Sequence, residues 1–444
     1  MRALRRSGAP MSESALTIGL LTHSVNPRGG VVHSLSLAEA LTAQGHHVTL
    51  FAPALPGERL FRAARCEVVL VPVAHGALGL VSLVETRVDA YVRHLDELLR
   101  TRDFDVLHAQ DSISGNALAT LRNTGRIAHY ARTVHHLDAF DNPRLSAYQL
   151  RAFVGADQVL CVSRMWCEHL RDVHGIDAVQ VRNGVDTARF TAQVEPRDSE
   201  VAARYGIGAG PVVLSVGGIE ARKNTVRLLE GFIEFRRAHP AAQLVIAGGA
   251  SLLDHDEYGR LFHAIATAAD VSDVSDVSDV SDVSDVSGAF RMSRIPDMPG
   301  AFGTSPIPDM SGESGTSRVS RVSRHLALKI LGAIPDDDMP SLLRLADVVA
   351  MPSIREGFGL VALEAIACGT PAVVSRIAPF TEHLSEADCV FVDPLEPASI
   401  AAGLAAALTH PVDAVSIPRR FSWTGSAIHH THLYRSMLTQ PELN

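Results

Sequence analysis

The chain has 444 residues, of which 46% are hydrophobic and 20% charged, and it carries a net charge of −9. That length suits two packed domains better than one, and the acidic balance argues against a dedicated nucleic-acid binder. The five cysteines, Cys66, Cys161, Cys167, Cys368 and Cys389, are odd in number and contain no CxxC pair. A reduced, cytoplasmic protein is therefore expected. The opening MRALRRSGAP runs into no apolar signal core, and Met11 is an alternative start. No apolar run is long enough to span a bilayer, so any membrane contact is expected to be peripheral, at the inner face.

Apolar strand-like runs alternate with helix-like stretches along most of the chain. Residues 16–21 read as a strand, followed by a glycine-containing loop and a helix over 32–44 that Gly45 stops. Further strands are predicted at 48–52, 67–73, 106–109, 127–133 and 158–162. A polar break at 191–199 carries Pro196, and then the pattern restarts. A strand at 212–216, a helix at 225–239 and strands at 244–247, 330–333, 346–351 and 372–374 complete the series. Strands alternating with helices imply parallel sheets with right-handed crossovers. The expected fold is α/β, with two doubly wound Rossmann-like domains facing a cleft: residues 11–195, residues 196–415, and a final helical segment over 416–444.

One stretch does not fit this pattern. From Asp270 the chain repeats DVS six times, then carries IPDM at Ile295 and Ile307 and RVSRVSR at Arg318. A three-residue period matches neither helix nor strand, and so polar a segment cannot bury enough apolar surface to offset its ordering entropy. Residues 270–324 are expected to form a disordered insert in the second domain. The spacing of its aspartates does not match a calcium loop.

Five segments carry candidate chemistry. NPRGGVVHS places Gly29 and Gly30 after the first strand, where backbone can approach an anion or simply turn. ARTVHHLD sets His135 and His136 at the carboxyl end of a strand, where open α/β sheets bind ligands. VRNGVDTARF offers the Asn183–Gly184 turn just before the interdomain break, as a hinge or as a ligand contact.

In SVGGIEARKNTVRLL, Arg222 and Lys223 stand beside a glycine pair and a helix start. Cations there are unfavourable for the helix dipole unless an anion is present, so a phosphate site is expected. In PSIREGFGLVALEAIACGTP, the loop glycines Gly357 and Gly359 precede a short helix over 360–367. Its first N–H groups, from Phe358 to Val361, have no intrahelical partner. Glu356 beside them and Glu364 within the helix suit hydroxyl donors such as those of a sugar or ribose. The paired histidines His46 and His47 read as a polar turn. His429, His430 and His432 do not make a convincing metal site.

These segments resemble those of the retaining family-4 glycosyltransferases of GT-B fold. The resemblance covers nearly the whole chain outside the insert, and its most specific element is the pair Glu356 and Glu364 with seven residues between them. Gly29–Gly30, the NGVD at Asn183, the segment from Gly217 to Lys223 and the terminal FSWTGSAIHHTHLY support it. It implies a C-terminal domain that binds a nucleotide-sugar donor and an N-terminal domain that binds the acceptor. The last helix would cross back to the first domain.

By the same resemblance, Glu364 would hold the ribose and Ile334 would lie near the base. Glu356 and His135 would contact the transferred sugar, and Lys223 would neutralise the diphosphate. Gly29, Gly30, Gly217, Gly218, Arg222 and the loop from Gly357 through Phe358, Gly359, Leu360 and Val361 would complete the donor site. No metal and no cofactor beyond the nucleoside-diphosphate sugar are implied. Gly218 stands where the family usually has Arg, and Arg182 where it often has Pro, so Arg222 is expected to supply the missing diphosphate cation. A sugar-nucleotide epimerase or phosphorylase of the same build, or a non-catalytic nucleotide-sugar binder, are the competing readings.

Overall fold

The structure, a computed structural model, describes residues 14–75, 79–248, 256–272, 322–323 and 327–439. The expectations for Met11 and for residues 273–321 lie outside them. Seven strands form the first sheet: β1 Thr17–Leu21, β2 His47–Ala54, β3 Glu67–Pro72, β4 Val106–Ala109, β5 Ala131–Val134, β6 Gln158–Cys161 and β7 Val179–Gln180. Their order is β3-β2-β1-β4-β5-β6-β7, all parallel. Helices α1 Gly29–Ala43, α2 Leu80–Leu98, α3 Ser112–Asn123, α4 Pro143–Val154 and α5 Arg164–His174 connect them. A pattern of βα units with short strands can bury both faces of a parallel sheet only this way.

The second half repeats the plan. Its strands are β8 Val212–Val216, β9 Gln243–Ala247, β10 Val322–Ser323, β11 Leu328–Gly332, β12 Val348–Met351, β13 Ala372–Ser375 and β14 Val390–Val392. They run β10-β11-β9-β8-β12-β13-β14, with only β10 antiparallel. Its helices are α6 Pro196–Tyr205, α7 Thr225–Arg236, α8 Asp256–Ser272, α9 Met339–Leu345, α10 Leu360–Ala367, α11 Phe380–His383, α12 Pro397–Ala407 and α13 Ser416–Arg420. Strand order reverses between β1 and β4 in one sheet and between β8 and β12 in the other. Each reversal opens a crevice at the carboxyl ends of its strands.

Several boundaries differ from expectation. Gly29 and Gly30 form the first turn of α1 rather than a loop, because glycine without a Cβ accepts helical as readily as turn geometry. β5 starts at Ala131, which pairs with His108 of β4; the predicted residues 127–130 have no partner on that strand. The expected insert is bounded by structure at both ends: α8 continues to Ser272, and β10 adds an edge strand to β11.

The last helix, α14 Trp423–Thr439, packs against α1 and shares a core with β1 through Ala427, Tyr434 and Met437. Tyr434 Oη lies 2.7 Å from His108 Nδ1, and Thr431 Oγ1 lies 3.0 Å from His46 Nε2. His46 is thus buried against α14 and is not part of a polar surface turn. The NGVD segment is the joint where the two halves meet. Val185 N–H donates to Phe421 O at 3.1 Å, and Asn183 Oδ1 holds His33 Nδ1 of α1 at 2.9 Å. Glu382 of α11 also reaches the other half, accepting from the N–H groups of Arg164 and Met165 at the start of α5, both at 2.8 Å.

Gly184 packs backbone to backbone: a Cβ there would sit 2.1 Å from Trp423 N. Gly184→Ala is therefore expected to lower the melting temperature by several degrees, as α14 is pushed from its seat. Thermal unfolding checks this, and a variant melting within about 1 °C of wild type would show that the contact relaxes freely.

Candidate functional site

The site forms where the carboxyl ends of β8 and β12 part. Gly217 closes β8 at φ +135° and leaves room for Lys223, whose side chain would lie 3.3 Å from a Cβ at that position. Two bonds then stitch the lysine loop to the segment after β12. Ile354 N–H donates to Arg222 O at 2.9 Å. Asn224, itself left-handed at φ 59°, donates through Nδ2 to Pro352 O at 2.9 Å and Pro394 O at 2.6 Å. Asparagine tolerates this backbone region better than most residues, and both N–H donors of its buried amide are used.

This stitching brings Lys223 Nζ to 2.9 Å from Glu356 Oε2, while Arg222 lies 3.5 Å from Oε1. Burial works against the Glu356 charge, yet Lys223 first and Arg222 next outweigh it, helped by the Gly357 N–H, and its pKa falls to about 2. Arg222 also approaches Glu220 at 3.6 Å. Gly218 is buried in the turn after Gly217.

Beyond Glu356 the chain turns into α10. Gly359, at φ +88°, is its N-cap, and a Cβ there would strike the Phe380 ring at 2.4 Å. Phe358 is buried, stacked on His383, whose Nε2 lies 3.0 Å from Phe358 O. The N–H groups of Phe358, Gly359, Leu360 and Val361 donate no hydrogen bond among the described residues. They form an open, positively polarised edge beside Glu356 and Lys223.

Glu364, one helical turn further along α10, is in a different environment. It is 8% exposed, and its carboxylate accepts no hydrogen bond among the described residues. Burial pushes its pKa up to about 7; Arg189 works the other way, and the neighbouring Asp336 and Asp186 add to the rise. Asp336 is held by Arg189 and lies 3.8 Å from Arg62 of the first half. Ile334, just after β11, packs at the edge of the second-half core near this group.

The first half faces these residues. His135 is half-buried, and its Nε2 lies 3.1 Å from Gln110 Oε1 at the end of β4. Gly30 packs on the His135 ring, while Gly29 has no atom within 4 Å of a built Cβ. A Cβ on Gly357 would meet His135 O at 2.4 Å, so the loop after Glu356 and the His135 backbone touch directly. His136 lies 3.4 Å from Asp138. His430 is buried on α14 near His33 and His108, with ring centroids 6.3 and 6.0 Å away, and belongs to the helix packing.

The sequence motifs thus converge. The two segments flanking the β8/β12 crevice meet the His135 segment and α1 across one cleft. Gln110, Asn224, Arg189, Asp336 and Arg62 were not singled out from sequence. Asn224 and Arg189 stand inside two of the quoted segments, and Gln110 is a polar residue just after the apolar run of β4.

Two family models match the chain: Glycosyltransferase Family 4 over residues 27–189 and Glycosyl transferases group 1 over residues 322–422. With the paired Rossmann-like sheets and the Glu356–Glu364 segment, they define a glycosyltransferase of two-domain GT-B build. The chain belongs to the family-4 glycosyltransferases.

Among curated relatives, a D-inositol 3-phosphate glycosyltransferase of Corynebacterium urealyticum is 37% identical over 124 residues, covering 26% of this chain and 29% of that relative's length. A phosphatidyl-myo-inositol mannosyltransferase of Mycolicibacterium smegmatis is 27% identical over 406 residues, covering 88% of this chain and 84% of that protein. Among solved structures, the sucrose-phosphate synthase of Thermosynechococcus elongatus superposes with a TM-score of 0.68 at 18% identity, covering 95% of this chain and 99% of that one. The Anabaena protein Alr3699/HepE, in complex with UDP and glucose, superposes at 0.64 with 16% identity, covering 95% and 100%. No helix among the described residues is long and apolar enough to cross a membrane.

The raised pKa of Glu364 has a defined stability consequence. A buried carboxylate with a folded pKa near 7, against an ordinary 4.5, is progressively destabilising as pH rises from about 4.5 through about 7. Glu364→Gln removes that charge. It is expected to melt roughly 2–6 °C above wild type at pH 8 and close to wild type at pH 5. Scanning calorimetry at both values checks it; equal melting temperatures at pH 8 would show that Glu364 titrates in the ordinary range.

Proposed function

We propose that the protein transfers a sugar from a nucleoside-diphosphate sugar to an acceptor hydroxyl, with retention of anomeric configuration. The observation that carries this reading is the Lys223–Glu356 pair set against the open N–H groups of Phe358 to Val361. An anion next to these donors would share Lys223 with Glu356, so the cation is in place before the diphosphate arrives. Residues 196–415 would hold the donor, with Glu364 on the ribose hydroxyls, Ile334 near the base, and Gly217, Gly218 and Arg222 lining the phosphates. Residues 11–195 would hold the acceptor.

In the reaction the bond from the anomeric carbon to the diphosphate oxygen breaks, and both electrons leave with the phosphate. Lys223, Arg222 and the N–H groups stabilise that charge. The positive charge growing on the sugar faces Glu356, which at a pKa of about 2 stays ionised across the working range. The acceptor oxygen attacks from the side the diphosphate leaves, and a departing phosphate oxygen takes its proton. No separate base is then required, and the cations serve where other enzymes use a divalent ion. The Gly357 loop touches the His135 carbonyl across the cleft, and a closed cleft would limit hydrolysis of the donor.

Glu356, with a pKa of about 2, holds no proton to donate, which disfavours it as the acid an epimerase needs. A binding protein without turnover would keep the site but not the rate. The reading supports a cytoplasmic enzyme, at most peripheral at the inner membrane face.

A thermal-shift screen of UDP-, GDP- and ADP-sugars should give stabilisation by at least one donor at saturating concentration. No shift with any nucleotide or nucleotide sugar would remove the donor-site reading. With the stabilising donor, Lys223→Met is expected to lower kcat by about 10²–10³-fold. A Lys223→Met enzyme turning over at the wild-type rate would take the lysine out of leaving-group stabilisation. Glu364→Ala should weaken donor binding at pH 8 while the protein remains folded, and unchanged donor affinity by calorimetry would separate Glu364 from the ribose.

A further inference from the structure

His135 is held on every side but one. Gly30 of α1 lies under its Cδ2–Nε2 edge, with 3.5 Å from a built Cβ to Cδ2. His33 meets its ring edge-on, with centroids 4.6 Å apart and planes at 74°. His33 is in turn fixed by Asn183 Oδ1 at 2.9 Å and by Trp423 of α14 against its ring at 5.3 Å. Within this clamp, the His135 Nε2 points at Gln110 Oε1, 3.1 Å away. Its Nδ1 has no hydrogen bond among the described residues and is not among their sealed, unpartnered atoms.

The orientation of Gln110 follows from its other neighbour. Gln110 is 2% exposed, and its Nε2 lies 3.3 Å from Nδ1 and 3.2 Å from Nε2 of the buried His108 ring. That ring is packed between Tyr434 Oη at 2.7 Å and Thr133 Oγ1 at 2.8 Å. Burial keeps His108 neutral, so it has one unprotonated nitrogen. The near-equal distances place Gln110 Nε2 over the face of that neutral ring, where an N–H meets the negative π-surface and a carbonyl oxygen would be repelled, so the amide turns its N–H to His108 and its carbonyl to His135.

We infer that Gln110 is a positioning residue that fixes His135 as the Nε2–H tautomer, so that the ring presents a hydrogen-bond acceptor, Nδ1, to a hydroxyl of the donor sugar. A carbonyl oxygen can only accept, so His135 Nε2 must carry the proton. Burial and the facing groups His33, Arg132, His136 and His108 keep His135 uncharged, and a neutral ring with Nε2–H has its lone pair on Nδ1. The inference rests on the reading of His135 as a sugar contact. It adds a direction: the sugar hydroxyl donates and the imidazole accepts. It also ties the cleft to the last helix, since Tyr434 and Gln110 hold the same His108 ring.

The test has two independent readouts on the full chain. Nitrogen-15 NMR of imidazole-labelled protein without ligand, with His135 assigned by its loss in His135→Phe, reads the tautomer directly. Wild type should show an unprotonated Nδ1 and a protonated Nε2. Gln110→Met, which keeps the shape and removes the acceptor, should give mixed tautomers. With the nucleotide sugar selected by the thermal-shift screen, its kcat should fall about 10-fold, the worth of one hydrogen bond, with donor KM within about twofold. Gln110→Glu keeps an acceptor and adds a charge. It should restore the Nε2–H tautomer and most of kcat at high pH, with a new loss of kcat at low pH as His135 protonates.

A wild-type His135 protonated on Nδ1, or a Gln110→Met enzyme with unchanged tautomer and kcat, would overturn the assignment. A fully active His135→Ala enzyme would overturn the sugar contact and with it the role of Gln110 in turnover. Donor binding in the thermal-shift screen would be unaffected by that result, so the two readings fail separately.

Discussion

The ion pair between Lys223 and Glu356 is the constraint around which the site is arranged. An ammonium and a carboxylate can be kept in a half-closed crevice only if each satisfies the other and the surrounding dipoles agree with both. Here the backbone ensures that. The left-handed Asn224 pins the lysine loop to the carbonyls of Pro352 and Pro394, and Ile354 bonds back to Arg222. The positive edge of α10 then opens beside the pair. The β8/β12 reversal supplies the space, Gly217 lets the chain leave β8 and Gly359 lets it enter α10 at the required angle.

The two glutamates show how environment separates identical side chains. Glu356 has a lysine, an arginine and a backbone N–H within reach, and they keep it ionised to about pH 2. Glu364 is on the same short segment but is buried near Asp336 and Asp186, with Arg189 opposing them, and its pKa rises to about 7. One carboxylate is a fixed charge. The other is a buried carboxylate whose charge costs stability. This difference is set by neighbours in loops that follow different strands and could not be read from the spacing of the two residues.

Much of the architecture was legible because it rests on local rules. Alternating apolar runs and helical patterns predict paired parallel sheets, and the glycine-rich segments fall at strand ends as expected. Lys223, Glu356 and the N–H groups of Phe358 to Val361 could be singled out for the same reason: each belongs to a contiguous motif. What escaped depends on contacts distant in sequence. Gln110 is an ordinary residue until β4 and β5 are placed side by side. Asp336 gains meaning only when Arg62 and Arg189 converge on it. His46, in a dipeptide that looks like a surface turn, is buried because α14 returns to cover it. Gly29–Gly30 was misjudged for a subtler reason, since glycine permits a loop and a helical turn alike and only the packing against His135 decides.

Glu382 has a consequence for movement. Helix α5 carries Ser163 at its N-cap position, but that side chain makes no capping bond; the first two N–H groups bond instead to a carboxylate from the opposite half. The helix therefore borrows its terminus. If the halves separate along this line, two amide donors and one carboxylate must be rehydrated together, and when they return all three find partners at once. Such a contact has a docked position and an undocked one, with little between. It gives the interface between the halves a detent, set by one carboxylate and two main-chain N–H groups.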